Sequence, residues 1–149
     1  MNKDYLTKNT KETTQLAKEL AEEILKRKSK SSVVLALVGD LGSGKTTFTQ
    51  SFIKALGIKK RILSPTFVIQ KRFKLPPSTS FANVYHIDAY RIKPVDLIGL
   101  GWIGAISNNN ILVVEWADKI KQVLPKDAIW IRFKHGKGET ERRITLNRR

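Results

Sequence analysis

The chain has 149 residues, 41% of them hydrophobic, which suits one compact domain (residues 1–149) with a core of its own. No stretch approaches the roughly 20 apolar residues that span a bilayer. The first residues, MNKDYLTKNTKETT, lack the apolar centre of a secretory signal, so a cytoplasmic protein is expected. With no cysteine, disulfides and thiolate metal sites are excluded. The net charge of +15, from 28 Lys and Arg against 13 Asp and Glu, points to a polyanionic partner, nucleic acid or an acidic protein, or else to a generally basic surface.

In chain order, a short start at Tyr5-Leu6 precedes a helix that Asn9 or Thr10 can cap. Its apolar positions Leu16, Leu20 and Ile24 recur at helical spacing beside Ala17, Ala21 and Leu25. The polar segment Lys28 to Ser32 ends it. Val33 to Val38 is continuously apolar, as a central strand covered on both faces should be.

The next eight residues, Gly39-Asp40-Leu41-Gly42-Ser43-Gly44-Lys45-Thr46, fit the phosphate-binding pattern G-x-x-x-x-G-K-S/T, with a strand before and a helix after. Glycines let the backbone curl until several amides point at one anion, where the helix N-terminus adds partial positive charge. Lys45 then reaches the β- and γ-phosphates, and the Thr46 hydroxyl can ligate Mg²⁺. Nucleoside triphosphate binding is therefore the anchor of the reading. The helix is predicted over Thr47 to Leu56, with Phe48, Phe52, Ile53 and Leu56 inward and Gly57 at the C-terminal cap.

Ser64-Pro65-Thr66-Phe67 reads either as a switch segment sensing the γ-phosphate or as a plain proline turn. Val68 to Phe73 and Phe81 to Ile87 form a predicted hairpin across Pro76-Pro77, which makes the sheet mixed. His86-Ile87-Asp88 ends the second strand. Asp88 there positions water or supports Mg²⁺, or simply caps a turn, and His86 reads as a structural histidine. Glycines 99, 101 and 104 are expected to interrupt any helix between Pro94 and Ile106. Ile111 to Val114 is a second fully apolar strand ending in Glu115, the position of a Walker B acid for Mg²⁺, with a surface carboxylate as the alternative. Trp116 packs either on a partner or in the core. Ala117 to Val123 is a short helical piece, and Ala128 to Phe133 and Arg142 to Leu146 are closing strands around the Gly136 to Gly138 turn. No N-K-x-D motif follows Asn108-Asn109-Asn110, which disfavours GTP.

GDLGSGKTTF, SPTF, YHIDAYR and VVEW, in this order, make the chain resemble the TsaE family (older name YjeE) from about Asn9 to Leu146. The resemblance implies an α/β, P-loop NTPase-like three-layer fold with a mixed, partly antiparallel central sheet. It also implies an Mg²⁺-dependent ATPase, weak alone, that works with TsaB and TsaD toward threonylcarbamoyl-adenosine at position 37 of tRNAs reading ANN codons. Carried over, Asp40, Leu41, Gly42, Ser43, Gly44, Lys45, Thr46 and Thr47 would bind ATP, and Thr10 would approach the adenine. Thr46 and Glu115 would hold Mg²⁺, while Asp88, Glu115 and Lys45 would be catalytic. Thr66 would be the switch residue, and Trp116 would lie near the partner or nucleotide.

Three features depart from the family's pattern. Lys93 to Ile98 is poor in carboxylates, Gly138 precedes Glu139 where the family has an arginine, leaving Arg142 or Arg143 as substitutes, and the high charge favours tRNA contact or reflects genome composition. The alternatives are a small-molecule or nucleotide kinase, with Arg72 and Arg91 as its mid-chain arginines, and a nucleic-acid-binding module gripping backbone phosphate.

Overall fold

A computed structural model describes residues 2–28, 31–62 and 69–148. Its strands are β1 (Asn2–Thr7), β2 (Val33–Gly39), β3 (Gln70–Lys74), β4 (Asn83–Asp88), β5 (Ile111–Glu115), β6 (Ile129–His135) and β7 (Arg142–Asn147). Its α-helices are α1 (Thr10–Leu25), α2 (Lys45–Ala55), α3 (Pro94–Gly99) and α4 (Trp102–Ser107), and a 3₁₀ segment covers Ala117–Val123. The strands form one seven-stranded sheet in the order β1-β7-β6-β2-β5-β4-β3. β6, β2, β5 and β4 run parallel, and antiparallel strands border them on both sides. The mixed three-layer α/β fold is as expected.

Alternation along the strands divides the core in two. Leu35, Leu37, Ile111, Val113, Val84 and Ile131 pack beneath α1 and α2, with Leu16, Leu20, Phe48 and Phe52 above them. Val34, Ala36, Leu112, Val114 and Ile87 face the other way, toward Leu97, Trp102 and Ile120. A strand that buries both faces has no polar position to spare, which is why β2 and β5 read as unbroken apolar runs.

Several elements differ from the sequence-based expectation. Tyr5-Leu6 belongs to a six-residue strand, because β7 offers it a full antiparallel edge. Asn9, not Thr10, caps α1: its side-chain oxygen accepts from the Glu12 amide at 2.9 Å. α2 begins at Lys45, two residues early, and Gly57 follows its end with φ +103° as expected. The glycines between Pro94 and Ile106 interrupt the helix as expected at Gly99 and Gly101, leaving two six-residue helices, and Gly104 lies inside the second. Pro94 starts α3, Asp96 accepts from the Lys93 amide at 2.9 Å, and Gly101 at φ +85° turns the chain into α4. The hairpin is present as β3–β4, with its first strand running from Gln70 to Lys74.

Candidate nucleotide and metal site

Because β2, β5 and β4 are parallel neighbours, their carboxyl ends share one edge of the sheet, where ligands gather in α/β folds. Leu37 is paired with Glu115 and Glu115 with Asp88, so the phosphate loop and both acids leave the sheet side by side. They open into a cavity of about 720 Å³ lined by Leu41 to Thr47, Thr10, Asp88, Glu115, Trp116 and Arg142, among others.

The loop is built for close backbone approach. At Gly39 a Cβ would lie 2.7 Å from the Phe133 carbonyl oxygen and 2.7 Å from Ser43 Oγ. Gly44 adopts φ +103° and starts α2 without any side-chain cap. The first amide used inside α2 is that of Phe48, which donates to the Gly44 carbonyl at 3.0 Å, so the amides before it still point outward from the helix start. Ser43 Oγ is buried with no hydrogen-bond partner among the described residues. These unspent donors and the glycine cradle fit a phosphate group.

Lys45 is 5% exposed and folds back on the loop. Its ammonium donates to the Gly39 and Asp40 carbonyls and sits 3.9 Å from the centre of the Trp116 ring. Burial lowers its pKa, while Glu115, Asp40, Asp118 and Asp88 pull it back up. The Thr46 hydroxyl donates to Glu115 Oε1 at 3.4 Å, and His86 Nε2 donates to the other carboxylate oxygen at 2.6 Å. Thr46 and Glu115 are hard oxygen donors already in contact, the kind of pair that Mg²⁺ takes together with water and phosphate oxygens. Among the described residues no group of three His, Asp or Glu side chains gathers as a cage.

Most of the expected site residues come together here. Thr10, Leu41, Gly42, Ser43, Gly44, Lys45, Thr46 and Thr47 line the cavity with Asp88, Glu115 and Trp116. Asp40 does not line it: its side chain is exposed, and its carbonyl accepts from Ser43 and Lys45. Thr66 lies outside the described residues. Asp88 faces the cavity and also caps a turn, accepting from the Tyr90 amide at 3.0 Å. Trp116 adopts the left-handed backbone region, φ 58°, which turns its ring toward Lys45 and Tyr90 instead of leaving it wholly in the core. Arg91 lines the cavity, whereas Arg72 lies in a separate groove.

Residues not singled out by the sequence complete the rim. Tyr90 packs against Trp116 at a tilt of 55°, with the ring centres 4.9 Å apart. Arg142, one of the two tail arginines left open, spans from the β6–β7 turn to the loop, donating to the carbonyls of Glu139, Glu141 and Gly42. Arg143 is on the other face of β7 and exposed. His86, read from the sequence as structural, is buried and hydrogen-bonded, and only its partner, 29 positions away, had no local signal.

Comparison with known proteins agrees with this arrangement. The profile of "Threonylcarbamoyl adenosine biosynthesis protein TsaE" matches residues 7–144. The tRNA threonylcarbamoyladenosine biosynthesis protein TsaE of Bacillus subtilis is 37% identical over 142 residues, 95% of this chain and 83% of the relative. The protein of the same name from Rickettsia prowazekii is 37% identical over 126 residues, 83% of this chain and 81% of its own. The crystal structure of Bacillus subtilis YdiB superposes with a TM-score of 0.76 at 32% identity, covering 99% of this chain and 86% of that one. With the profile matched almost from end to end and the phosphate loop seated at the carboxyl edge of a mixed sheet, the chain belongs to the TsaE family.

Proposed function

We propose that this chain is an Mg²⁺-dependent ATPase that serves threonylcarbamoyl-adenosine formation in tRNA as an accessory to TsaB and TsaD, and that its own turnover is slow. The observation that carries the reading is the contact of Thr46 with Glu115 beside an uncapped α2 and its glycine cradle. The family's name supplies the pathway.

In this reading the amides of Gly42 and of Gly44 to Thr47 hold the β- and γ-phosphates, while that of Ser43 stays on the Asp40 carbonyl. Lys45 exchanges its two carbonyl acceptors for phosphate oxygens, carrying its charge only a short way since its stem is already buried. Thr46 and Glu115 would hold Mg²⁺, which when bound neutralises charge on the transferring phosphoryl group. Asp88, next to Glu115 across the β4–β5 ladder, orients the attacking water. Trp116 and Tyr90 wall one side, and Thr10 closes the other.

ATP turnover measured alone and with TsaB, TsaD and tRNA tests the proposal. Stimulation by the partners is the expected result. Lys45→Ala abolishes hydrolysis, and Glu115→Ala abolishes it while keeping some nucleotide binding. Unchanged turnover in either variant, or phosphorylation of a small acceptor without the partners, refutes it.

A further inference from the structure

The helices do not cover the whole sheet. α1 and α2 lie over one face, and α3, α4 and the 3₁₀ segment lie over the β4–β5–β2 part of the other. Among the described residues, no helix covers the β6–β7–β1 end on the second face. Arg132, Lys134 and Arg143 project there and are exposed, next to a partly buried Trp130.

The register concentrates the charge. Lys134 is directly opposite Arg143, and Arg132 is opposite Thr145. Like charges facing one another across a ladder destabilise it, so this pairing has a cost that an anion would remove. The acid of these strands on this face is Asp4, and Thr145 donates to it at 2.8 Å. The ion pairs among the described residues, His86 with Glu115 and Arg148 with Glu23, do not involve these three cations. The Arg132 guanidinium lies 5.7 Å from the centre of the Trp130 ring, a flat cation beside a flat aromatic.

We propose that this open face binds a single-stranded nucleic acid, with Arg132, Lys134 and Arg143 on backbone phosphates and a base stacked at Trp130. An aromatic beside a row of cations is the chemistry of such platforms. An acidic protein partner would want several deep anchors at the centre of the patch, whereas this one has three exposed cations with a single, partly buried aromatic, Trp130, beside them and Leu6 at the margin. The site is separate from the nucleotide cavity, which none of these side chains lines.

Fluorescence anisotropy with a labelled oligouridylate tests it, with an oligothymidylate of equal length to tell ribose from deoxyribose strands. Each lost phosphate contact lowers the salt slope by about 0.7. The triple variant R132Q/K134Q/R143Q should therefore lose about 2 from the slope, and its loss of affinity between 50 and 200 mM salt should shrink about 20-fold. Trp130→Leu should weaken binding about fivefold or more. The triple variant should melt no lower than the parent, since the Lys134–Arg143 repulsion is gone, and keep its ATP turnover, and Lys45→Ala should bind the oligomer as the parent does. An equal effect from K71Q/R72Q/K74Q on β3 would show that net charge alone is responsible and overturn the proposal. Loss in Lys45→Ala, or displacement by polyglutamate as readily as by nucleic acid, would overturn it too. Because turnover and strand binding are read separately, failure here is distinguishable from failure of the ATPase reading.

Discussion

Replacing His86 by leucine removes the donor that holds one oxygen of Glu115, and the consequences can be worked from the geometry. The ring nitrogen and the carboxylate are 2.6 Å apart, the histidine side chain is fully buried, and the glutamate side chain is 6% exposed. A buried carboxylate that loses its partner costs about 3–5 kcal/mol. For a protein of this size each kcal/mol lowers Tm by about 2–4 °C, so His86→Leu should melt roughly 6–20 °C lower. Replacing both residues by leucine removes the stranded charge along with its partner. The double variant should therefore recover most of the loss, giving a coupling of about 2 kcal/mol or more. His86→Gln keeps an N–H donor and should fall between His86→Leu and the parent. Urea unfolding of the parent, His86→Leu, Glu115→Leu and the double variant without nucleotide supplies the cycle. Losses that add to within about 0.5 kcal/mol would refute the pairing as the source of the effect.

Two further changes probe the frame around the site. In Gly39→Ala the new methyl group would sit 2.7 Å from a backbone oxygen of β6, which cannot rotate away. A loss of about 1–3 kcal/mol is expected, with weaker nucleotide binding because the loop shifts; stability and affinity equal to the parent's would show that the β2–β6 spacing gives way freely. The second change concerns Arg148, which donates to both Glu23 oxygens at 2.7 and 2.8 Å and holds that carboxyl below its usual 4.5. A depressed carboxyl pKa stabilises the fold above the unfolded value, and the contribution fades as pH falls through the folded one. Arg148→Ala should therefore be less stable than the parent at neutral pH by under about 1 kcal/mol, since the pair is partly exposed. The two proteins should converge as the pH drops below about 4.5. A gap that persists in acid would assign the effect to packing.

The site was legible where its chemistry is contiguous. Gly39 to Thr46 carries its own spacing, and Glu115 follows an apolar run that only a central strand produces. Residues brought in by tertiary pairing were not. Arg142 meets Gly42 across 100 positions, and Tyr90 meets Trp116 because two parallel strands end together. β1 is half exposed and takes its order from β7, so its own residues give no clear alternation. α3 and α4 have six residues each, too short to persist on propensity. They are held by Leu97 and Trp102 in the core and by the Trp102 indole donating to the Val123 carbonyl at 2.9 Å.

The pairing of β1 with β7 also governs the order of assembly. Among the described residues, residues 2–7 have one ladder partner, residues 142–147, so β1 has nothing to zip against until β7, which follows the other strands in sequence, has been synthesised. Contacts so distant in sequence form late and slowly. Until then the ladder edge of β1 stays accessible, and it is in that interval that nascent chains are most open to association with one another or capture by chaperones.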